Sequence, residues 1–220
     1  MTILLVILTF AIFITADVLL AKRKVAAAER RMPSPVPAAS EPVWVAGYQL
    51  PEGLYYHRGH TWARPEGDTV VVGLDDFARR LLGGVHGVRL PAVGDWLRQG
   101  EVAFGVREDG RAADLVAPVE GEVVAVNRDL SRQPSLAADD PFGRGWVLRI
   151  RAAGLAANLR NLLSGSLARR WMEDCRESLD FRLMALSGSV LQDGGEPMGD
   201  FARRIPAEEW RRLAHEFLLT

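Results

Sequence analysis

The stretch from residue 105 to residue 122, GVREDGRAADLVAPVEGE, limits the possible fold more than any other, because it contains two tight turns between strand-like segments. Asp109-Gly110 is a strong hairpin signal, since glycine tolerates a positive φ and aspartate can bond its own backbone. Apolar residues alternate with polar or small ones before this turn, and an apolar run leads to Pro118 after it. A second turn at Glu120-Gly121 opens a strand from Glu122 to Val126. The stretch therefore predicts a β-hairpin followed by a third strand.

Short strands of the same kind are predicted throughout residues 48–151. Strands from Thr61 to Arg64 and from Thr69 to Leu74 are joined by the predicted loop Pro65-Glu66-Gly67-Asp68. Apolar residues at helical spacing then predict one short helix up to Leu82, with Asp75 or Asp76 as its cap. Further strands are predicted around Val88, Trp96, Val102, Leu115, Val123 and Val147. The predicted fold class is mainly β with helices, an α+β domain whose strands are mostly antiparallel.

The carboxy-terminal segment, residues 152–220, is predicted to be helical. The stretch from Leu167 to Leu186 places its apolar residues on one helical face. A last helix is predicted to start at Pro206, with Glu208 and Glu209 in its first turn. Its apolar stripe consists of Trp210, Leu213, Ala214, Phe217 and Leu218. Two amphipathic helices must bury these stripes, either against each other and the β domain or against a partner protein.

The amino terminus carries an apolar run of 18 residues, ILLVILTFAIFITADVLL, at positions 3–20. As a helix it would cover roughly 27 Å, close to the hydrocarbon thickness of a bilayer. Positive charge follows the run at Lys22, Arg23 and Lys24 and does not precede it, which favours an uncleaved single-pass anchor over a signal peptide. The same charges predict that the body of the protein faces the cytoplasm. Asp17, near the charged end, either snorkels to the interface or bonds a second membrane helix.

Four parts are therefore predicted along the chain: an anchor with its basic flank (1–24), a proline- and alanine-rich linker (25–47), the β domain (48–151) and the helical segment (152–220). Prolines at 33, 35, 37 and 42 make the linker an extended spacer. The net charge of −1 argues against nucleic-acid binding. Cys175 is the only cysteine, so an intrachain disulfide is excluded.

Five sequence blocks follow one another between Leu54 and Ile150. They are HRGHTW at 57–62, VGLDDFARRLLGGV at 72–85, VRLPAVGDWLRQGE at 88–101, DLVAPVEGEVVAVN at 114–127 and DDPFGRGWVLRI at 139–150. Together these blocks resemble the H protein of the glycine cleavage system, a lipoyl carrier that moves an aminomethyl group between partner enzymes. The resemblance implies a flattened β-barrel or sandwich of two sheets, of the lipoyl-domain type.

The lysine that carries lipoate in that family is missing from this chain. The resemblance places it at Gly110, next to Arg111. Neither residue can form the amide bond, because glycine has no side chain and a guanidinium stays protonated up to about pH 12. Lys22 and Lys24 are the only lysines among the 220 residues. We therefore expect no lipoyl group or other lysine-linked cofactor on the domain.

Two groups of polar residues in the β domain are candidate sites. His57 and His60 have the spacing of a weak metal pair, but they lack a third ligand, so we predict a structural role and no metal site. The hairpin carries a charged cluster of Arg107, Glu108, Asp109 and Arg111. This cluster is either a solvated turn or a recognition surface at the place where the resemblance implies a presented cofactor.

The sequence contains no catalytic triad, phosphate loop or metal cluster, so we predict that the protein is not an enzyme. The leading hypothesis is a membrane-anchored interaction module on the H-protein fold, without a prosthetic group and with a protein partner. One alternative is a carrier-type component related to glycine cleavage. Another is a structural subunit of a membrane complex.

Overall fold

The computed structural model describes residues 43–187 and 205–218. The predicted anchor with Asp17, its basic flank of Lys22, Arg23 and Lys24, and nearly all of the linker lie outside these residues and remain predictions. Within the described residues, no helix combines the length and the apolar character needed to cross a bilayer.

Strands make up most of the regular secondary structure within residues 43–152. Their bounds are Trp44–Val45 (β1), Tyr48–Gln49 (β2), Tyr55–Tyr56 (β3), Thr61–Glu66 (β4), Thr69–Leu74 (β5), Gly87–Arg89 (β6), Trp96–Leu97 (β7), Val102–Glu108 (β8), Arg111–Val116 (β9), Gly121–Val126 (β10) and Leu148–Ala152 (β11). They form a six-stranded sheet in the order β3-β4-β5-β11-β10-β7, a three-stranded sheet in the order β6-β8-β9, and the pair β1-β2. The strand pairs of the three sheets are antiparallel.

Three helical segments interrupt the strands, and further helices follow the last strand in the chain. Their bounds are Asp76–Leu82 (α1), a 3₁₀ turn at Arg128–Ser131, Leu136–Asp139 (α2), Leu155–Arg160 (α3), Gly165–Ser187 (α4) and Ala207–Leu218 (α5). The mainly β fold with helices that the sequence predicts is therefore confirmed.

The core lies between the sheets and beneath the helices. Val70, Val71 and Val72 of β5 are all completely buried, because β5 runs through the middle of the six-stranded sheet and both of its faces are covered. Trp62 of the neighbouring strand is also completely buried, and its indole N–H donates to the carbonyl of Pro141 at 3.2 Å. A β-branched run flanked by a large aromatic ring suits such a doubly covered strand.

The turn between β4 and β5 is shorter than the sequence predicts. Pro65 and Glu66 belong to β4 and pair with Val70 and Thr69, so only residues 67–68 form the turn. Proline is tolerated here because β3 pairs only with Trp62 and Ala63, which leaves the far side of β4 without a ladder at position 65.

Asp75 is the cap of α1, which decides between the two capping residues that the sequence offers. Its Oδ1 accepts a hydrogen bond from the amide of Ala78 at 2.8 Å. Asp76 instead pairs with Arg79 and Arg80 on the same helix. The cap fixes where α1 begins. The carboxyl end of α1 leads to Gly84, which faces the carboxylate of Glu108 on β8.

The carboxy-terminal helices pack on the β domain. The stripe of α4 buries Ala168, Met172, Cys175 and Leu179, and the stripe of α5 buries Trp210, Leu213, Ala214, Phe217 and Leu218. These residues belong to the same hydrophobic core as the strands, and α5 contacts β9 and α1. Helix α5 starts one residue after the predicted Pro206, whose carbonyl accepts the amide of Trp210 at 2.9 Å. The sequence leaves open whether the stripes pack on the β domain or on a partner protein, and the described stripes pack on the β domain.

Candidate interaction site at the β8–β9 hairpin

The predicted hairpin is present, with Asp109 and Gly110 as its two turn residues. Their φ angles are 42° and 76°, and Glu108 pairs with Arg111 across the base of the turn. Positive φ at both central positions is the pattern of a type I′ turn, whose twist matches that of the flanking strands. A Cβ at position 110 would have no neighbour within 4 Å, so the turn is open in space and only the backbone conformation favours glycine.

Glu108 is buried, which differs from a fully solvated turn. Its side chain is 3% exposed and its carboxylate contacts Nδ1 of His86. Gly84 makes room for it, since a Cβ there would lie 2.8 Å from Oε1 of the carboxylate. The strand alternation of β8 turns Glu108 inward and leaves its neighbour Arg107 exposed.

Three side chains at the hairpin have the composition of a metal-binding group. His86, Glu108 and Asp109 each offer one ligand atom, and these atoms lie within 4.8 Å of one another. The imidazole and Asp109 are largely exposed, and the amide of His86 donates to the carbonyl of Arg107 at 2.9 Å. In the described structure Nδ1 of the imidazole faces both carboxylates, so the three side chains form one polar cluster.

An open cavity of about 330 Å³ lies at the same place, and its walls include the whole turn. His86 is the residue of this site that the sequence analysis missed. It stands in a loop more than 20 positions before the hairpin turn, and no local spacing links the two. The antiparallel pairing of Gly87 with Arg107 brings them together.

Arg111 connects the hairpin to the carboxy-terminal segment. Its guanidinium donates to the carbonyl of Ile205 at 2.8 Å and lies 5.4 Å from the ring centre of Trp210. Of the four residues in the predicted cluster, the structure therefore places Glu108 and Asp109 with His86, and directs Arg111 towards α5. The cluster is not a uniform solvated turn.

His57 and His60 do not share a ligand position. The imidazole of His60 is completely buried, with Nδ1 at 2.8 Å from Oδ2 of Asp75, and it stacks between Phe77 and Trp171. Nδ1 of His57 accepts the amide of Gly59 at 3.0 Å, and burial lowers the pKa of His57. Each ring nitrogen that is bonded in this way holds a local backbone turn or a helix cap in place.

Comparison with known proteins gives consistent matches to one family. The family model for glycine cleavage H-protein matches residues 54–175, which continues past Ile150 into α4. The glycine cleavage system H protein of Magnetococcus marinus is 43% identical over 127 residues, which cover 57% of this chain and 89% of that protein. The corresponding protein of Thermus thermophilus is 44% identical over 102 residues, which cover 46% of this chain and 80% of that protein.

A solved structure shows the same relationship. The crystal structure of a glycine cleavage system H protein from Mycobacterium marinum is 29% identical and aligns with a TM-score of 0.50. The alignment covers 98% of that chain and 57% of this one. The relatives are thus matched over most of their length by about half of this chain.

The antiparallel sheets and the β8–β9 hairpin define a domain of the lipoyl-domain type. The chain belongs to the glycine cleavage H-protein family, as the match over more than half of its length shows. H proteins are carriers and not catalysts, so the prediction that this protein is not an enzyme is confirmed.

The family's lipoyl group does not fit the residues present at the hairpin. The resemblance places Gly110 at the attachment position, and Arg111 is bound to the carbonyl of Ile205. The described residues contain no lysine, because the lysines of the chain are at positions 22 and 24. No step of carrier chemistry can therefore be assigned to the side chains of this turn.

Proposed function

We propose that the protein is a membrane-anchored, non-lipoylated interaction module built on the H-protein fold. The observation that carries this proposal is the replacement of the attachment lysine by Gly110 in a chain with no lysine after Lys24. A lipoyl amide requires a primary amine that can become a neutral nucleophile, and arginine cannot supply one at physiological pH.

The form of the hairpin supports a role in binding. Its turn is well formed although the family's group has no attachment point, and the type I′ geometry presents Asp109 and Gly110 outward. His86 and Asp109 line an open cavity with Glu108 at its buried side. Polar groups that converge on a concave surface can fix the orientation of a group bound there, such as a side chain of a protein partner.

The membrane part of the proposal rests on the sequence. The apolar run at 3–20 has the length of a bilayer span, and Lys22, Arg23 and Lys24 follow it. The domain then faces the cytoplasm on a proline-rich linker, and its protein partner is found there or in the same membrane. The family's work with other glycine cleavage components makes a protein partner the expected kind.

A carrier-type role in glycine cleavage is the second candidate function. The 43% identity to a named H protein over 89% of its length favours it. Such a carrier would need its group attached in a way other than a lysine amide. The third hypothesis, a structural subunit of a membrane complex, is a special case of the interaction module in which the partner is permanent.

The decisive experiment is intact-mass analysis after incubation with a lipoyl ligase, lipoate and ATP. We expect no added lipoyl mass on the full chain, because the hairpin offers no amine. A named H protein run in parallel shows that the reaction is active. A lipoyl adduct that maps to residues 48–150 would overturn the proposal.

Gly110→Lys asks whether only the lysine has been lost. The variant puts an amine at the turn, and the positive φ costs about 1 kcal/mol of stability. Gly100→Lys is the matched control, because Gly100 also has a positive φ of 83° and no neighbour within 4 Å of a Cβ, but lies in another turn. Lipoylation of Gly110→Lys alone would show that a ligase still recognises the hairpin, whereas two unmodified, folded variants would show that its surroundings have diverged as well.

A further inference from the structure

Helix α5 lies outside the part of the chain that defines the family. The family model ends at residue 175, and an H protein from Mycobacterium marinum is covered to 98% by 57% of this chain. Residues 205–218 are therefore an addition to an H-protein body. Residues 188–206 join this helix to α4, and residues 188–204 among them lie outside the described part of the chain.

The added helix fits a groove, which we define by four residues that touch or face it: Gly59, Leu81, Arg111 and Val116. Trp210 is 0% exposed, and its indole N–H donates to the carbonyl of Leu81 at 2.9 Å. At the other end of the helix, Leu218 is also completely buried. The groove therefore accepts an apolar helical stripe and provides an acceptor for an indole at its depth.

The groove also provides a donor that hydrogen-bonds the backbone just before the helix. The guanidinium of Arg111 bonds the carbonyl of Ile205 at 2.8 Å and lies 5.4 Å from the indole ring centre. In one of these two hydrogen bonds the helix residue Trp210 donates to the groove. In the other, the groove residue Arg111 donates to Ile205, which precedes the helix. Two bonds in opposite directions, at positions 205 and 210, fix the register of an incoming helix.

Close approach at the far end makes the fit specific. A Cβ on Gly59 would lie 2.7 Å from the carbonyl oxygen of Leu218 and 2.8 Å from Cγ2 of Val116, so the groove is shaped by the absence of a side chain there. Next to this contact, the ring centres of Phe217 and Phe77 lie 5.1 Å apart.

One buried polar atom next to α5 is left unsatisfied. Nε2 of His60 is buried without a hydrogen-bond partner, and the Phe217 ring centre lies 6.4 Å from the centre of this imidazole. Phe217 of α5 is one of the rings around this imidazole, together with Phe77 and Trp171.

We propose that this groove is a helix-binding site, which α5 occupies as a tethered and exchangeable ligand. The partner that it fits is an amphipathic helix with an indole followed at i+3 and i+7 by large apolar residues, the spacing of Trp210, Leu213 and Phe217. The tether gives α5 a high effective concentration, so a partner must bind more tightly than a free copy of α5 to replace it. This inference deepens the proposed interaction function by naming the surface and the chemistry of its ligand.

The test begins with a full chain that has a specific protease site inserted within residues 188–204. The protein is folded, then cut, and then mixed with a fluorescent peptide of residues 205–220. We expect the labelled peptide to enter the groove by exchange, with a rise in anisotropy, while the circular dichroism of the domain is unchanged. In the uncut chain, the amides of α5 should exchange hydrogen faster than those of β4 and β5.

Two peptide variants test whether the binding is specific. A Trp210→Ala peptide should compete at least about tenfold more weakly, since a buried indole is a typical hot spot, whereas a Glu208→Gln peptide, altered at an exposed position, should compete like the original. The inference is overturned if the cut helix never exchanges, if the domain unfolds as the helix leaves, or if both variants compete equally. A lipoyl adduct on the hairpin would refute the non-carrier proposal and leave this result untouched.

Discussion

At the scale of single residues, Trp210 connects α5 most firmly to the rest of the domain. Its indole is completely buried, bonds the carbonyl of Leu81 and faces the guanidinium of Arg111. A large ring that also satisfies its polar atom combines apolar burial with directional bonding.

Trp210→Ala should lower the free energy of unfolding by about 3–5 kcal/mol, because it leaves a cavity and an unpaired carbonyl. Urea unfolding at constant protein concentration measures the change. Trp96→Ala is the matched control, since Trp96 is 55% exposed, and it should change stability by no more than about 0.5 kcal/mol. Equal effects of the two substitutions would mean that α5 is not packed as described.

Cys175 should be chemically silent in the folded protein. Burial raises the pKa of its thiol from 9.0 to about 12, and the charges of Asp75 and Asp174 act in the same direction. At pH 8 the thiolate fraction is then roughly a thousandfold smaller than for an unperturbed thiol. Ellman's reagent should therefore react slowly with native protein and rapidly in urea.

The raised pKa of Cys175 also gives the pH dependence of stability a definite sign. Because the folded pKa lies above the unfolded one, the stabilising contribution of the neutral thiol is complete below pH 9 and is lost as the pH rises towards 12. The chain has one cysteine, so the colour reports this site alone. Fast, stoichiometric reaction of native protein at pH 8 would contradict the buried position of α4.

At the scale of elements, the hairpin and α5 hold each other through Arg111. Arg111→Ala should lower the free energy of unfolding by about 1–2 kcal/mol, because it removes a charge-assisted hydrogen bond and a cation–π contact. Hydrogen exchange of the α5 amides should accelerate while that of β5 does not. Arg107→Ala, an exposed neighbour on the same hairpin, is the control and should leave both quantities nearly unchanged.

Elements with a local cause could be predicted from the sequence. The Asp109-Gly110 turn, the two candidate caps of α1 and the stripe of α5 each follow from residues within one or two turns of chain. The sequence predicts a loop at Pro65 because proline breaks most strands. Proline does not break β4 because the short strand β3 does not extend to position 65.

The composition of the site could not be predicted in full. His86 and Glu108 meet because β6 pairs with β8, and Arg111 meets Ile205 although 94 positions separate them. Contacts of this kind depend on sheet order and helix docking, which leave no periodic trace in the sequence. The absence of the attachment lysine, by contrast, is a matter of composition and needs no structure.

At the scale of the whole molecule, the structure settles where the carboxy-terminal stripes are buried. Both helices join the single core of the domain, and Arg182 of α4 bonds Glu216 of α5 at 2.8 Å. Helix α5, which lies beyond the residues matched by the family model, thus extends the body of an H protein next to β9 of the hairpin.

The orientation of the whole chain is open to a direct test. A reporter fused after Thr220 should show cytoplasmic activity, because Lys22, Arg23 and Lys24 follow the apolar run. Removal of residues 1–24 should release a soluble, folded domain whose unfolding resembles that of the full chain in detergent. Activity from a reporter that works only in the periplasm would refute the predicted orientation.

Arginine supplies every long cationic side chain on the described surface, since lysine occurs only at positions 22 and 24. Amine-directed esters acylate lysine side chains and do not react with a guanidinium, which stays protonated. Side-chain coupling of this kind to a sensor chip therefore takes place ahead of the linker. Molecules immobilised in this way are attached through one short segment outside the domain, so their hairpin and helices carry no chemical modification and a captured partner meets an unaltered surface.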